Sequence, residues 1–287
     1  MKMNIVKTAV QFDNYRTPSL FYKSARQGMR AGDVWVLHNY FGMQVPSRDW
    51  LATARGRGVT VVEDHSHDPL GSFAHDSQAD YGFAVLRKTL PLPDGGVLWS
   101  PLGLPLPEGG APAPSPLTRI AAMLGKAAYL RGAPFPKALY REWFAEAETH
   151  LGQVWGAGVS AYSRERLGQL DIVAWISARA HNLEWLRAHV ESGELFSMLE
   201  GPHVEDDMGL VLHFAEAPTR DAFRQYLTSC KVYSAVLWPL PVGVTPAEFL
   251  RATAFQARML FLPADSRYLR EDLMHLRDVI DQFKRVP

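Results

Sequence analysis

Along the first third of the chain, short apolar runs alternate with polar stretches of helix length. Thr8–Phe12, Val34–His38, Val59–Glu63 and Tyr81–Leu86 are rich in valine and aromatic residues and read as strands. Ser19–Met29 and Ser47–Arg57 lie between successive strands and are long enough for helices that return the chain to a parallel neighbour, with Ser47 as an N-cap. Gly32 and Gly58 stand where such helices would end, just before the next strand, where a residue with positive φ is wanted. The pattern predicts an α/β layer up to about Ser100.

From Leu90 to Pro116 the chain is dense in proline and glycine, which removes backbone donors and excludes long helices, so a loop or boundary is expected there. Thr118–Leu130, Lys137–Val154 and Leu170–Gly193 then carry apolar residues at helical spacing. After His203 alternation returns. Gly209–Phe214 and Ser234–Trp238 read as strands, and Arg220–Ser229 and Arg270–Phe283 as helices. The expected organisation is an incomplete large α/β domain over 1–116, a helical middle over 117–202 and a small α+β domain over 203–287. No internal repeat is evident.

Composition narrows the function classes. The 287 residues are 47% hydrophobic and 21% charged, which describes a globular chain with ample core. Thirty basic side chains balance thirty acidic ones, so the cationic surplus of a nucleic-acid binder is absent. The single cysteine, Cys230, can form neither an intrachain disulfide nor a thiolate zinc site by itself, which fits a reducing compartment. No run approaches the roughly 20 apolar residues that span a bilayer, and Met1–Asn14 lacks the apolar core of a signal peptide. A cytoplasmic protein without membrane or nucleic-acid partners is expected.

Two segments carry chemistry. In VTVVEDHSHDPLG, an apolar strand runs straight into Glu63, Asp64, His65, Ser66 and His67, delivering ionisable groups to the carboxyl end of a parallel sheet, where open α/β folds place their ligands. A capped turn with solvated histidines is the plainer alternative. His65, His67, Asp68, His75 and Asp76 also offer metal-ligating atoms, but their spacing matches no metal motif and no distant segment supplies a further ligand, so no metal is expected. In ADYGFAVLRKTLPLPDGG, a strand ends at Arg87 and Lys88 ahead of the turn Asp94-Gly95-Gly96. Lysine at a partly desolvated site can act as an amine nucleophile toward a carbonyl compound, although most lysines are solvated surface charges. The ordered pair matters more than either member. A strand-end Asp64 followed 24 residues later by a strand-end Lys88 suits pyridoxal phosphate, since the carboxylate keeps the pyridine nitrogen protonated and the amine carries the aldehyde.

On these blocks the sequence resembles the fold-type I pyridoxal-phosphate enzymes, specifically the sugar aminotransferase family typified by the DegT, DnrJ, EryC1 and StrS proteins. HNYFG, a helix and VTVVEDHSH resemble the family's YFG-type turn and Asp-x-x-His/Gln element. ADYGFAVLRKTLPLPDGG resembles its lysine segment, and LWPL and MLFLPADSRYLREDLMHLRDVI its C-terminal domain. The resemblance implies an aspartate-aminotransferase-like α/β fold with a mixed, mainly parallel sheet flanked by helices and a small C-terminal α+β domain. It implies that Asp64 faces the pyridine nitrogen, that His67 lies near the ring or its 3-hydroxyl, and that Lys88 forms the internal aldimine. It further implies a homodimer that takes a sugar nucleotide and an amino-acid donor.

Family members also carry a longer segment ahead of the YFG strand, with a glycine- or serine-containing turn that holds the cofactor phosphate at a helix N-terminus. The chain is expected to be shortened there, and Val85 stands where the family often has a phosphate-touching serine. A second chain supplying that lobe is one resolution. Two functions follow: a transaminase-like enzyme working through Lys88, or a catalytically silent homologue serving as a binding or complex-forming subunit. Elsewhere, Arg179 and Asn182 are expected on a helix surface. Glu205, Asp206 and Asp207 are expected in a solvated turn, and Trp238 and Pro239 either at the substrate entrance or in a small-domain core.

Overall fold

The computed structural model describes residues 5–7, 29–43, 48–111, 116–153, 156–237 and 250–285. The strand expected at Thr8–Phe12, the helix body ahead of Met29, the cap at Ser47 and the pair Trp238 and Pro239 lie outside these residues.

Strands β1 (Ile5–Lys7), β2 (Val34–His38), β3 (Thr60–Asp64), β4 (Tyr81–Val85) and β5 (Gly96–Trp99) form a sheet in that order, parallel except for β5. The alternation read from the sequence is the alternation of burial: Trp35 and Leu37 of β2 and Val61 of β3 face helix α1 (Arg48–Gly56) and pack on its Trp50, Leu51 and Ala54. Gly32 and Gly58 adopt φ of +88° and +72°. Their close approach, with Gly32 N donating to Gly58 O at 2.8 Å and Thr60 N to Asp33 O at 2.9 Å, starts β2 and β3 level with each other. That register sets the site, because His38 then ends opposite Asp64.

Helix α2 (Ser72–His75) sits between β3 and β4. Helices α3 (Leu117–Leu130), α4 (Lys137–Gln153), α5 (Ala161–Gln169) and α6 (Ile172–His189) follow β5. Helix α5 was not expected, since its residues are largely polar; its N-terminus is held by the turn after β4, where Asp94 accepts hydrogen bonds from Ser160 N, Ser160 Oγ and Ser163 Oγ.

A second sheet joins β6 (Phe196–Leu199), β7 (Gly209–Phe214) and β8 (Met259–Pro263), all antiparallel. Its core combines Leu212 and Phe214 with Leu183 and Leu186 of α6, Phe223 and Leu227 of α7 (Ala217–Ser229) and Ile280 of α9 (Arg270–Lys284). Helix α8 (Leu250–Arg258) leads directly into β8. Strand β6 lies inside the stretch expected to be helical. The strand expected at Ser234–Trp238 reduces, over its described part, to one bridge between Ala235 and Phe261. Among the described residues no helix is long and apolar enough to cross a membrane.

Candidate active site

The carboxyl ends of β2, β3 and β4 converge on one edge of the sheet. His38 Nδ1 lies 3.0 Å from Asp64 Oδ2, a contact that follows from their pairing across parallel strands. Ser66 donates to Asp64 Oδ1 from both its backbone N (2.9 Å) and its Oγ (2.5 Å). Burial pushes the Asp64 carboxyl up, but the hydrogen bonds from His38 and Ser66 outweigh it and hold the group down at about 2. Asp64 is a fixed negative charge at neutral pH. Ser66 Oγ also accepts from Val85 N at 2.9 Å, so a single hydroxyl ties the acidic strand end to the strand that leads to Lys88. His38 was not singled out in the sequence; its position at the end of a strand of the same length as β3 was the available signal.

His67 is buried, and its Nδ1 accepts from Phe41 N at 3.0 Å. A backbone N–H can only donate, so the proton of the neutral ring sits on Nε2. Burial, together with the charges of Lys88 and His38 and against that of Asp64, lowers the His67 pKa to about 4. The three residues singled out from the sequence therefore share one electrostatic neighbourhood, centred on a neutral imidazole. The turn that presents Phe41 is strained: Phe41 has φ +61° and Gly42 φ +79°. A Cβ on Gly42 would come within 1.9 Å of the Asp206 carbonyl oxygen, so only glycine fits. Phe41 O accepts from Met208 N at 2.8 Å, and the fully buried Phe41 ring stacks on Phe261, 6.0 Å between centroids.

Lys88 ends a single helical turn, Leu86–Lys88, that follows β4. It is exposed rather than partly desolvated, and it stands at a cleft of about 470 Å³ bounded by α3, α6 and the end of β8. Leu86 N donates to Gly95 O at 3.1 Å, so the Asp94-Gly95-Gly96 turn, with Gly95 at φ +109°, folds back against the lysine segment.

His65 and His67 take separate partners: His65 Nε2 meets buried Glu63 at 3.0 Å, and Ser77 Oγ donates to the same Glu63 oxygen at 2.5 Å, while His67 Nδ1 is held by Phe41 N. Among the described residues no group of three or more His, Cys, Asp or Glu converges as metal ligands would. Arg179 is buried rather than on a helix surface, donating to Asp68 Oδ1 at 3.4 Å and Glu205 O at 2.8 Å. Asn182 Nδ2 donates to Asp265 O and Tyr268 O, both at 3.1 Å. Asp206 and Asp207 are buried rather than solvated. Asp206 accepts from Ser72 N and Oγ, and Asp207 pairs with Arg187 and accepts from Gly201 N. These residues escaped the sequence because their partners lie on other elements.

No protein-family model matches the chain, and no curated protein sequence does. Solved structures do share its fold. A DegT DnrJ EryC1 StrS aminotransferase from Brucella abortus superposes with a TM-score of 0.53 at 14% identity, covering 88% of this chain and 64% of its own. The sugar aminotransferase CalS13 from Micromonospora echinospora gives 0.57 at 13% identity, covering 91% and 70%. The GDP-4-keto-6-deoxy-D-mannose-3-dehydratase of E. coli, solved with bound hydrated pyridoxal phosphate, gives 0.58 at 14% identity, covering 96% and 74%. The chain thus spans about two thirds to three quarters of the length of these proteins. At these identities the likeness establishes the fold, the mixed and mainly parallel α/β architecture expected from the sequence.

Proposed function

We propose that this chain is a pyridoxal-phosphate-dependent, transaminase-like protein of the sugar-nucleotide class, with Asp64, His67 and Lys88 as its cofactor residues. The observation that carries the proposal is the placement of Asp64, His67 and Lys88 at or just past the carboxyl ends of the adjacent parallel strands β3 and β4, tied together by Ser66 Oγ, which donates to Asp64 and accepts from Val85 N. These residues fit the cofactor. Asp64 keeps its charge at neutral pH and, as a carboxylate with lone pairs beyond those used by His38 and Ser66, can accept a further N–H from a protonated ring nitrogen. His38 orients that carboxylate. His67 offers an Nε2–H donor, and exposed Lys88 is free to reach a carbonyl carbon and to carry a proton.

When bound, pyridoxal phosphate supplies an electron sink for the bonds of a substrate α-carbon. The enzymes sharing the fold include sugar aminotransferases and a dehydratase acting on a keto-sugar nucleotide, which supports a sugar nucleotide as substrate here, with an amino acid as nitrogen donor. A homodimer in the cytoplasm belongs to the same proposal. A second function, a silent binding subunit, draws on one observation: both oxygens of Asp64 are already bonded within the chain.

Borohydride trapping separates the two. Protein mixed with millimolar pyridoxal phosphate should develop visible absorbance, reduction should fix the cofactor on one peptide containing Lys88, and Lys88→Ala should abolish both signals. Absence of absorbance, or labelling at another lysine, overturns the enzymatic proposal in favour of the silent subunit.

A further inference from the structure

The cleft beside Lys88 is strongly cationic. Arg87, Lys88, Arg119, Lys126, Arg179 and Arg267 all line it. Three carboxylates bond to these six groups: Glu148 accepts from Arg87 at 2.6 Å and Arg119 at 2.7 Å, Asp68 pairs with Arg179, and Asp265 pairs with Arg267 at 2.6 Å. A surplus of at least three positive charges remains around a cleft of about 470 Å³, since Asp68 is only partly ionised at neutral pH. Lys88 and Lys126 form no hydrogen bond or ion pair with a described residue.

Lys126 is the more telling of the two. It lies seven residues after Arg119 on α3, so the two side chains share a helix face about two turns apart. Half-burial makes its charge costly, and the Arg267 charge on the same cleft adds to that cost against the pull of Asp265. A chain that holds cations together in this way, in excess of their carboxylate partners and partly out of water, has a surface complementary to a multivalent anion.

We propose that this cleft binds a phosphoryl dianion, with Lys126 as its central charge and Arg119 and Arg267 as flanking donors. A surplus of three matches a phosphate or pyrophosphate better than a lone carboxylate. The planar guanidinium of Arg119, with one Nη on Glu148, has further N–H groups to offer oxygen acceptors. The proposal rests on the function above only in setting Lys88 at the mouth of the same cleft. The phosphoryl group has two sources, the 5′-phosphate of the cofactor or the phosphoanhydride of a nucleotide-linked substrate.

Calorimetric titration of the full chain with inorganic pyrophosphate at low salt tests the site. Binding should weaken roughly 10- to 100-fold in Lys126→Met, the loss of one charge-assisted contact, and should largely survive in Lys126→Arg; Arg267→Gln should weaken it independently, with circular dichroism unchanged in each. Failure of wild type to bind pyrophosphate at millimolar concentration, equal binding by Lys126→Met, or glutarate binding as tightly as pyrophosphate overturns the proposal. The source follows from two further arms. If the phosphate is the cofactor's, pyridoxal phosphate should label Lys88 better than pyridoxal in wild type but not in Lys126→Met. If it is the substrate's, uridine diphosphate should bind the pyridoxal-phosphate-loaded protein and lose affinity in Lys126→Met. Pyrophosphate binding without any labelling of Lys88 removes the cofactor function and leaves the anion site standing.

Discussion

Both oxygens of Asp64 are engaged by the chain's own groups, and this is what makes the residue a dependable charge. Removing one of the groups should show it. In His38→Ala the carboxyl loses the first of the hydrogen bonds that hold it near 2, so its pKa should move up toward the ordinary carboxylate range, a change read by carbon-detected NMR titration. In Asp64→Asn the geometry survives while the charge goes. Retention of pyridoxal phosphate in equilibrium dialysis should fall roughly 10- to 100-fold, the equivalent of one charge-assisted bond. His67 behaves differently. With its pKa lowered to about 4 and Nδ1 committed to Phe41 N, it stays neutral across the physiological range and serves as a fixed donor from Nε2 rather than as a titrating base.

Among the elements, the Tyr40–Gly42 turn links the site to the second sheet. Its backbone gives Phe41 N to His67 and Phe41 O to Met208 N, and its ring enters a cluster with Val211, Met259 and Phe261. Phe41→Ala should therefore cost about 3–5 kcal/mol in urea denaturation; the alanine keeps the backbone N–H on His67 Nδ1, but loss of the ring 6.1 Å from the imidazole lets water in beside it, so the His67 pKa should rise. Gly42→Ala should destabilise for a separate reason, because its Cβ meets a backbone carbonyl that cannot swing aside. The same experiment should show a lowered midpoint with Phe41 intact. Ser66 has a comparable linking role between β3 and β4, and it does so with one hydroxyl that both donates and accepts.

At the scale of the whole molecule, the loop carrying Asp64 and His67 is joined to the helical and C-terminal parts through buried charges. Asp68 lies against Arg179 and Asp206 takes Ser72, while Asp207 takes Arg187 between the helical and C-terminal parts themselves. Burial, reinforced by the charge of Asp206, pushes Asp68 up to about 7 against the pull of Arg179. An unfolded aspartate gives up its proton near pH 4, whereas the folded one keeps it to about 7, so this group makes stability fall as pH rises between those values. His67 works in the opposite direction, since its folded pKa of about 4 lies below that of an unfolded histidine. Comparing wild type with Asp68→Asn isolates the first effect. The variant should gain relative stability from pH 4 to pH 8, by a few kcal/mol at most, and thermal melts at the two pH values should show the gap opening.

Much of this architecture could be read from the chain. A strand over Val34–His38, a second one expected over Val59–Glu63 and found one residue later at Thr60–Asp64, the positive φ of Gly32 and Gly58, the turn at Asp94-Gly95-Gly96 and the placement of Lys88 just past a strand all follow from side-chain alternation and turn chemistry, which act between near neighbours. The pairing of His38 with Asp64 required the register of two strands 26 residues apart. The burial of Arg179, Asp206 and Asp207, the anchoring of the α5 N-cap Ser160 on Asp94 and the gathering of six cations around one cleft required whole elements to pack, with partners as far apart as 134 residues. Backbone preference is a property of each short stretch, so the sequence determined the elements and the strand ends that carry chemistry. Desolvation and charge depend on what surrounds a group in space, so tertiary structure alone decided which carboxylates are buried, which lysines stay unpaired and how each site group titrates.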